Sequence, residues 1–468
     1  MGRQTLCVGA GMTAAVFLLL VMPSAAAGGQ APRVGATPAP RQAITSPLSL
    51  DDAIARALEH HLGILRGQHG VEQARGQQRI ARSALLPNIV ADATGTRQTI
   101  NLSALGFQFD SPLAGFSLPG VVGPFNQVDL RARLSQRIFD MPALNQLRAA
   151  EATSRASELS ARDTRDVVVL AVGGAYLQTL AAGARVQAAR TERETADALV
   201  KQAEARRAVG LVAQVDVDRS KVQLLTQQQR LIGFENEFAK HKIHLARLIG
   251  ASPTDAYGLG PDVPYRATGE LDLDVLLRQA RERRSDVRAA EAQVTAAERS
   301  LAAAKAGRLP TVAVNADYGA IGTSPAEARR TFAVVGTVRV PLWQGGRVEG
   351  QVGQAEATVA ERRAELDDLA AQVEAEIRSA WLDLRSSASQ VNVARENLEV
   401  ARETLDLTRQ RFEAGVSDNV EVVQAQESVS TASFGYINSV FSNHVARLTL
   451  ARAMGDAADR WSVLLKVP

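Results

Sequence analysis

The sequence predicts an α+β membrane protein that is mainly α, with long coiled-coil helices joined to transmembrane β-strands and with two internal repeats. Three observations predict this fold class. A heptad seam runs for about 65 residues without proline, the same seam recurs upstream, and four segments alternate apolar and polar residues. Only 4% of the 468 residues are aromatic, which is typical of closely packed long helices rather than of a globular core.

The heptad seam lies between Gly346 and Phe412. Its row of large side chains comprises Ile377, Leu384, Val391, Leu398, Leu405 and Phe412. Its row of small side chains comprises Ala380, Ser387, Ala394, Ala401 and Thr408. A helix of about 65 residues at ~1.5 Å per residue is roughly 100 Å long. Such a helix cannot fold back to bury its own seam, so the seam predicts neighbouring helices of equal length.

The seam recurs at an offset of 205 residues, at which Ala380 aligns with Ala175 and Trp381 aligns with Tyr176. From Ala175 an alanine ladder continues at every seventh position to Ala203. The chain therefore contains two copies of one elongated unit. Each copy is predicted to hold a helix, a β-hairpin, a long helix, a tight tip and a return helix.

The predicted segments follow from this duplication and from local signals. They are the first repeat over 48–252 (hairpin at 88–139, tip at 209–213), the linker over 253–270, the second repeat over 271–456 (hairpin at 311–342, tip at 415–419) and the C-terminal tail over 457–468. Ser49 is a helix N-cap, and its helix is predicted to run to Ala84 because Pro87 follows. The matching helix begins at Asp272.

The N-terminus has the features of an export signal. A basic residue precedes an apolar run over 8–22, and small residues follow to Ala27. We therefore predict a signal peptide over 1–27 and a disordered leader, rich in Ala, Pro and Gly, over 28–47; an uncleaved membrane anchor is the alternative. Cys7, the only cysteine, precedes the apolar run and is badly placed for lipid attachment.

The strand segments have one apolar and one polar face, and two interpretations compete. The first is a half-buried soluble sheet packed on its own helices. The second is a transmembrane sheet, which must oligomerise because barrels begin at about eight strands. Arginines on the polar face favour a water-filled lumen. These candidate lumen residues are Arg131, Arg133, Arg137 and Arg339.

Several functional classes find no support in the sequence. The formal net charge is only +3 and both signs are interspersed, which argues against nucleic-acid binding. No phosphate-binding glycine loop or hydrolase motif is present, so neither an enzyme nor a cofactor is predicted. His241 and His244 have no third ligand nearby and indicate no metal site. His60 and His61 are expected to point apart on a helix.

Several ordered motifs resemble the TolC-like outer-membrane factor family over roughly residues 48–456. The matching segments are Leu48–Ile54, Leu85–Pro87, Arg137–Asp140, Arg206–Asp216, Pro341–Arg347 and Arg411–Glu421. The resemblance implies a homotrimer in the cell outer membrane, with a twelve-stranded barrel in lipid, four strands per chain, continuous with a coiled-coil α-helical barrel in the periplasm. It also implies a passive exit duct that carries drugs, metals or polypeptides in an efflux pump or a type I secretion system.

The resemblance further implies partners and site residues. The partners are a periplasmic adaptor (membrane fusion protein) and an inner-membrane transporter of the RND, ABC or MFS class. The implied adaptor-contact tips are Val209-Gly210-Leu211 and Gly415-Val416-Ser417. The alternative function is a periplasmic coiled-coil adaptor or scaffold that is not inserted in a membrane.

The resemblance also places a periplasmic gate just past the second tip. Glu421 matches the position of an acidic ring, whereas Gln424, one turn further on, stands where some members of the family have a second acid. Phe412 stands where certain members have a tyrosine that links neighbouring helices. Asp216 is the counterpart in the first repeat. Three symmetry-related carboxylates at a narrow neck would attract cations and repel anions. The alternative for Glu421 is a solvated acid in the first turn of a helix.

Overall fold

The computed structural model describes residue 44 and residues 47–106, 120–254, 256–260, 263–267, 269, 271–417 and 419–459. The predicted signal peptide, most of the leader and most of the C-terminal tail lie outside these residues. The helices and strands within them are α1 (Leu50–His60), α2 (Leu62–Ser83), β1 (Asn88–Asn101), β2 (Val121–Phe139), α3 (Met141–Ala208), α4 (Gln214–Leu248), α5 (Leu273–Arg283), α6 (Ser285–Ala306), β3 (Thr311–Gly322), β4 (Arg329–Arg339), α7 (Arg347–Glu413) and α8 (Asn419–Ala453).

The prediction of one continuous helix from Ser49 to Ala84 is wrong, because the backbone becomes extended at His61. The His61 Nδ1 accepts a hydrogen bond from the Gly63 N–H at 3.0 Å and thereby caps α2, so His61 is not a helix-surface residue. The second repeat has the same break at Arg284, between α5 and α6. The apolar periodicity continues across both breaks and does not reveal them.

The heptad seam is buried as predicted. All six large residues of the row from Ile377 to Phe412 are buried, and the alanine ladder from Ala175 to Ala203 is buried at every step. Across the long helices, α3 packs against α4 and α8, and α8 packs against α7, so the order is α4-α3-α8-α7. An 18-residue window of α3 is apolar enough to cross a bilayer, but 56% of it is buried against the rest of the chain.

One aromatic residue in each repeat anchors the start of that repeat to a long helix. The Tyr176 hydroxyl donates to the Leu48 carbonyl at 3.0 Å, and the Trp381 indole N–H donates to the Leu271 carbonyl at 3.0 Å. Tyr176 and Trp381 occupy equivalent positions in the duplication. Because both donors are directed at backbone, these contacts fix where the first helix of each repeat lies along its long helix.

The four strands form one antiparallel sheet in the order β1-β2-β3-β4. Paired residues in neighbouring strands share a face. Arg133 pairs with Asp317, and Arg137 pairs with Ala313. The register of β3 and β4 then places Arg339 on this same face, with Arg131 and Arg133. The structure thus brings all four candidate lumen arginines to one side of the sheet.

The apolar face of the sheet is exposed within the chain. Phe332 is 78% exposed, Val334 68% and Val338 66%. The interpretation of a soluble sheet packed on its own helices is therefore wrong. Such a row of aliphatic and aromatic side chains fits the lipid-facing side of a membrane strand.

The strand-to-helix junctions differ between the repeats. In the first, Asp140 caps α3, and its Oδ1 accepts from the Ala143 N–H at 2.9 Å. In the second, Gly345 and Gly346 link β4 to α7 with φ values of 59° and 79°, and α7 has no side-chain cap. Two successive left-handed residues require glycine, because other side chains are strained there.

A buried histidine on α8 predicts a pH-dependent stability. The ring of His444 reaches the Val263 carbonyl of the linker at 3.2 Å, and burial, reinforced by the Arg447 guanidinium, lowers the pKa of His444 to about 4. A folded pKa below the unfolded value of about 6.5 gives stability that is complete above pH 6.5 and lost as the pH falls towards 4.

We therefore expect His444→Gln to reduce the loss of stability between pH 7 and pH 5 by at most about 2 kcal/mol. Thermal unfolding of the detergent-solubilised protein, followed by circular dichroism at both pH values, measures this difference. His69→Gln, at an exposed position on α2, is the matched control. Equal pH dependence in all three proteins would contradict the prediction.

Candidate functional site

The first tip is a fixed turn between α3 and α4. The Gly210 N–H donates to the Arg207 carbonyl at 2.8 Å, and the Leu211 N–H donates to the Arg206 carbonyl at 2.9 Å. This pair of bonds is a Schellman motif, and Gly210 takes the left-handed conformation that it requires, with φ of 78°. Val209 and Leu211 are exposed on either side of the glycine.

The second tip, between α7 and α8, repeats this geometry. The Gly415 N–H donates to the Phe412 carbonyl at 3.1 Å, and the Val416 N–H donates to the Arg411 carbonyl at 3.0 Å. Gly415 has a φ of 76°, and Val416 is exposed. Both predicted tips therefore present exposed aliphatic side chains on a hydrogen-bonded glycine turn.

Side chains that the sequence analysis did not identify join the two tips. Asn419 is buried, and its amide donates to the Asp216 carbonyl at 3.0 Å and to the Ser220 Oγ at 2.9 Å. The Arg206 guanidinium donates to the Phe412 carbonyl at 3.0 Å and lies 4.3 Å from the centre of its ring. The duplication in the sequence predicts the two tips. It does not predict these contacts, because each contact joins residues about 200 positions apart in sequence.

The predicted gate residues do not share one environment. The Glu421 carboxylate is half-exposed, accepts from the Ser417 Oγ at 2.6 Å and lies 3.7 Å from the Arg411 guanidinium. Gln424 is exposed on α8. Phe412 is buried in the apolar core between α7 and α8. The Asp216 carboxylate bonds to the Ala213 N–H at 3.3 Å and caps α4.

A partly buried polar layer lies between the α3/α4 and α7/α8 pairs, further from the tips along the helices. Arg230 forms a bidentate pair with Glu427 at 2.6 and 2.9 Å. Burial raises the pKa of the Glu192 carboxyl, although Arg409 opposes this effect. The side-chain amide of Gln227 is buried without a hydrogen-bond partner. Unsatisfied buried polar groups are costly, so this layer holds the two helix pairs together less strongly than an apolar seam would.

On the polar face of the sheet, most arginines are paired. Arg131 bonds to Asp129 at 3.2 Å and to Asp317 at 2.6 Å. Arg133 bonds to Asp92 at 2.9 Å. Arg137 bonds to Asp140 at 2.9 Å. Within the described residues, no cluster of three or more His, Cys, Asp or Glu side chains could hold a metal ion.

Comparison with known proteins decides the family. The family model for outer membrane efflux proteins matches residues 53–251 and 276–456. The chain belongs to the outer membrane efflux protein family. The two matched ranges correspond to the two repeats, and the predicted TolC-like resemblance, fold class and outer-membrane location are confirmed. This location rules out the alternative of a scaffold that is not inserted in a membrane.

Named relatives support this assignment. The outer membrane protein OprJ of Pseudomonas aeruginosa is 27% identical over 429 residues, which cover 86% of this chain and 83% of OprJ. The probable efflux pump outer membrane protein SepC of Pseudomonas putida is 27% identical over 318 residues, which cover 64% of this chain and 61% of SepC. Both relatives are thus named as outer membrane proteins, and SepC is named as a probable component of an efflux pump.

Solved structures share the fold. The outer membrane protein VceC of Vibrio cholerae superposes with a TM-score of 0.75 at 21% identity, covering 87% of this chain and 96% of that one. The CmeC outer membrane channel of Campylobacter jejuni gives a TM-score of 0.74 at 17% identity, covering 87% and 86%. The fold of this chain is therefore that of these outer membrane proteins.

The backbone conformations of Gly415 and Gly435 predict different effects on stability when each is replaced by alanine. Gly415→Ala should destabilise the protein by about 1 kcal/mol, because alanine is strained at a positive φ. Gly435→Ala, in the interior of α8, should be neutral or stabilising, because alanine favours the helix. A Cβ at either position meets no atom within 4 Å, so steric clash does not confuse the comparison. Thermal midpoints that shift in the same direction would contradict the prediction.

Proposed function

We propose that this protein is the outer-membrane exit duct of a tripartite efflux pump and that it works as a homotrimer. One observation supports the proposal most directly. In a single chain, the two edge strands of the sheet lack a partner, and the two outer long helices, α4 and α7, expose apolar side chains. The sheet ends in the free edges of β1 and β4. In hydrocarbon, the unpaired backbone groups of such edges cost several kcal/mol each, so the edges must be paired.

Closure of the sheet sets the number of copies. When β4 of one copy pairs with β1 of the next, two copies give an eight-stranded barrel and three give a twelve-stranded barrel. Side chains fill the interior of an eight-stranded barrel. A lumen lined by long arginine side chains and open to a solute needs the wider barrel, which supports three copies.

The helices support the same circular arrangement. Both outer helices carry apolar residues that are exposed in the single chain, many at heptad spacing. These residues are Val215, Val222, Leu225, Ile232 and Ile243 on α4, and Leu382, Val393, Val400 and Leu407 on α7. Since α4 and α7 lie at opposite sides of the helix order, α4 of one copy would pack on α7 of the next, as in a coiled coil.

Two side chains mark the periplasmic boundary of the membrane. Leu342 is 93% exposed and Trp343 is 88% exposed, directly after β4 and before α7. Tryptophan favours the interface between lipid and water. We infer that these residues lie at the inner headgroup layer, with the sheet in lipid and the long helices in the periplasm.

Transport through such a duct is passive, and the energy comes from partners. The rigid tips at Gly210 and Gly415 would dock a periplasmic adaptor, which links the duct to an inner-membrane transporter. The similarity to the probable efflux pump outer membrane protein SepC supports an efflux pump rather than a type I secretion system. Near the second tip, Glu421 would form a ring of three carboxylates that limits flow at the periplasmic end.

The trimer predicts the effect of a charge in the α7 seam. Val400→Asp should abolish assembly, because each interface would then bury an unpaired carboxylate. Asn392→Asp, exposed on α7 outside the apolar row, is the matched control and should assemble normally. Heat-resistant trimers are measured by gel electrophoresis of the detergent-extracted outer-membrane fraction. Wild-type protein recovered only in the soluble periplasmic fraction would contradict the proposed function.

The gate predicts a change in conduction at Glu421. Glu421→Ala should raise the single-channel conductance in planar bilayers and weaken block by multivalent cations, because it removes both the negative ring and the hydrogen bond from Ser417. Glu421→Gln keeps a hydrogen-bond acceptor and should weaken the block with a smaller change in conductance. Glu413→Ala, exposed at the same tip, is the control. An unaltered conductance together with unaltered block in Glu421→Ala would refute the gate.

A further inference from the structure

A cleft of about 1120 Å³ lies where the polar face of the sheet meets the helices. Its walls come from the ends of β2, β3 and β4 that adjoin the helices, from the first turns of α3 and α7, and from the C-terminal end of α6. The four charged side chains that line it are Arg137, Asp140, Arg339 and Arg347. The remaining polar lining consists of neutral side chains such as Gln146 and Gln351.

The charge of this cleft is not balanced. Asp140 is its one lining carboxylate, and both of its oxygens are already used. Oδ2 accepts from Arg137 at 2.9 Å, and Oδ1 accepts from the Ala143 N–H at 2.9 Å. Arg347 donates to the neutral Gln344 side chain. Within the described residues, Arg339 has no ion-pair partner, so Arg339 and Arg347 leave an excess of positive charge.

This excess contrasts with the middle of the same sheet face, where Arg131 and Arg133 are both paired with aspartates. Arg329 lies on the same face of β4 but ten residues from Arg339, roughly 33 Å away at the other end of the strand. The guanidinium group donates hydrogen bonds in a planar fork that matches carboxylate and phosphate oxygens. The cleft therefore has the charge and the donors to bind anions.

We propose that Arg339 and Arg347, with Arg137 beside them, form an anion-binding belt in the pore at the junction of sheet and helices. The inference rests on the proposed function, because three copies of the cleft face one lumen only in the trimer. Low-dielectric walls around an aqueous neck concentrate the field of such charges. Soluble anions, carrying carboxylate, phosphate or sulfate groups, are thus retained at the junction, whereas Glu421 acts on cations at the far end.

The test measures ion selectivity of the full-length protein in planar bilayers under a potassium chloride gradient. In Arg339→Gln, the permeability ratio of chloride to potassium should fall about twofold, and it should fall further in the double variant Arg339→Gln/Arg347→Gln. Inorganic pyrophosphate added on the barrel side should reduce the wild-type current and should reduce the current of the double variant several-fold less. Arg339→Lys keeps the charge and should keep the wild-type ratio.

Arg330→Gln is the matched control. Arg330 also lies on β4, but its side chain is on the opposite, apolar face of the sheet and at the far end of the strand from Arg339. The substitution removes the same charge without touching the cleft and should leave selectivity unchanged. An unchanged ratio in Arg339→Gln, or an equal fall in Arg330→Gln, would overturn the belt while leaving the duct intact. Wild-type protein that forms no pores would instead contradict the proposed function itself.

Discussion

Backbone hydrogen bonding of the strands governs how this protein is organised. Within one chain, β2 and β3 have both sides paired, whereas β1 and β4 each leave one row of N–H and C=O groups open. In lipid these groups need partners, and in the proposed trimer neighbouring copies of the chain supply them. In that trimer, the rotation that pairs β4 with β1 of the next copy would also pack α7 against α4, so a single symmetry operation would cover both the open strand edges and the exposed apolar helix faces.

The duplication explains how a chain of two halves forms such a regular unit. Each repeat supplies two strands and one pair of long helices, and the contact between the repeats within the sheet is the pairing of β2 with β3. Tyr176 and Trp381 anchor equivalent backbone carbonyls, at Leu48 and Leu271. The two repeats differ at the helix break. In the second repeat the buried Arg284 forms ion pairs with the partly exposed Asp286 and Glu376, whereas in the first repeat the His61 side chain caps α2.

The parts of the fold that the sequence predicts are those with a local or periodic signal. The heptad row through Leu398, the strand alternation around Arg131 and the glycine at each tip can all be read from nearby residues. The helix breaks were missed, because one capping side chain at His61 interrupts no apolar pattern. The bonds of Asn419 and the polar layer around Gln227 were missed for another reason. They join helices that are distant in sequence, and a polar residue at a heptad position does not reveal which side chain it will bond to.

The two strand-to-helix junctions have unequal mechanical properties. Asp140 ties α3 to the sheet through its cap and its bond to Arg137, so displacement of α3 is transmitted to β2. Gly345 and Gly346 have no side chains to restrain them, and backbone rotation there costs little. We expect a sideways movement of α7 to be absorbed at these two glycines before it reaches β4. In the proposed trimer, the periplasmic end would then be able to change its diameter while the membrane ring keeps its shape.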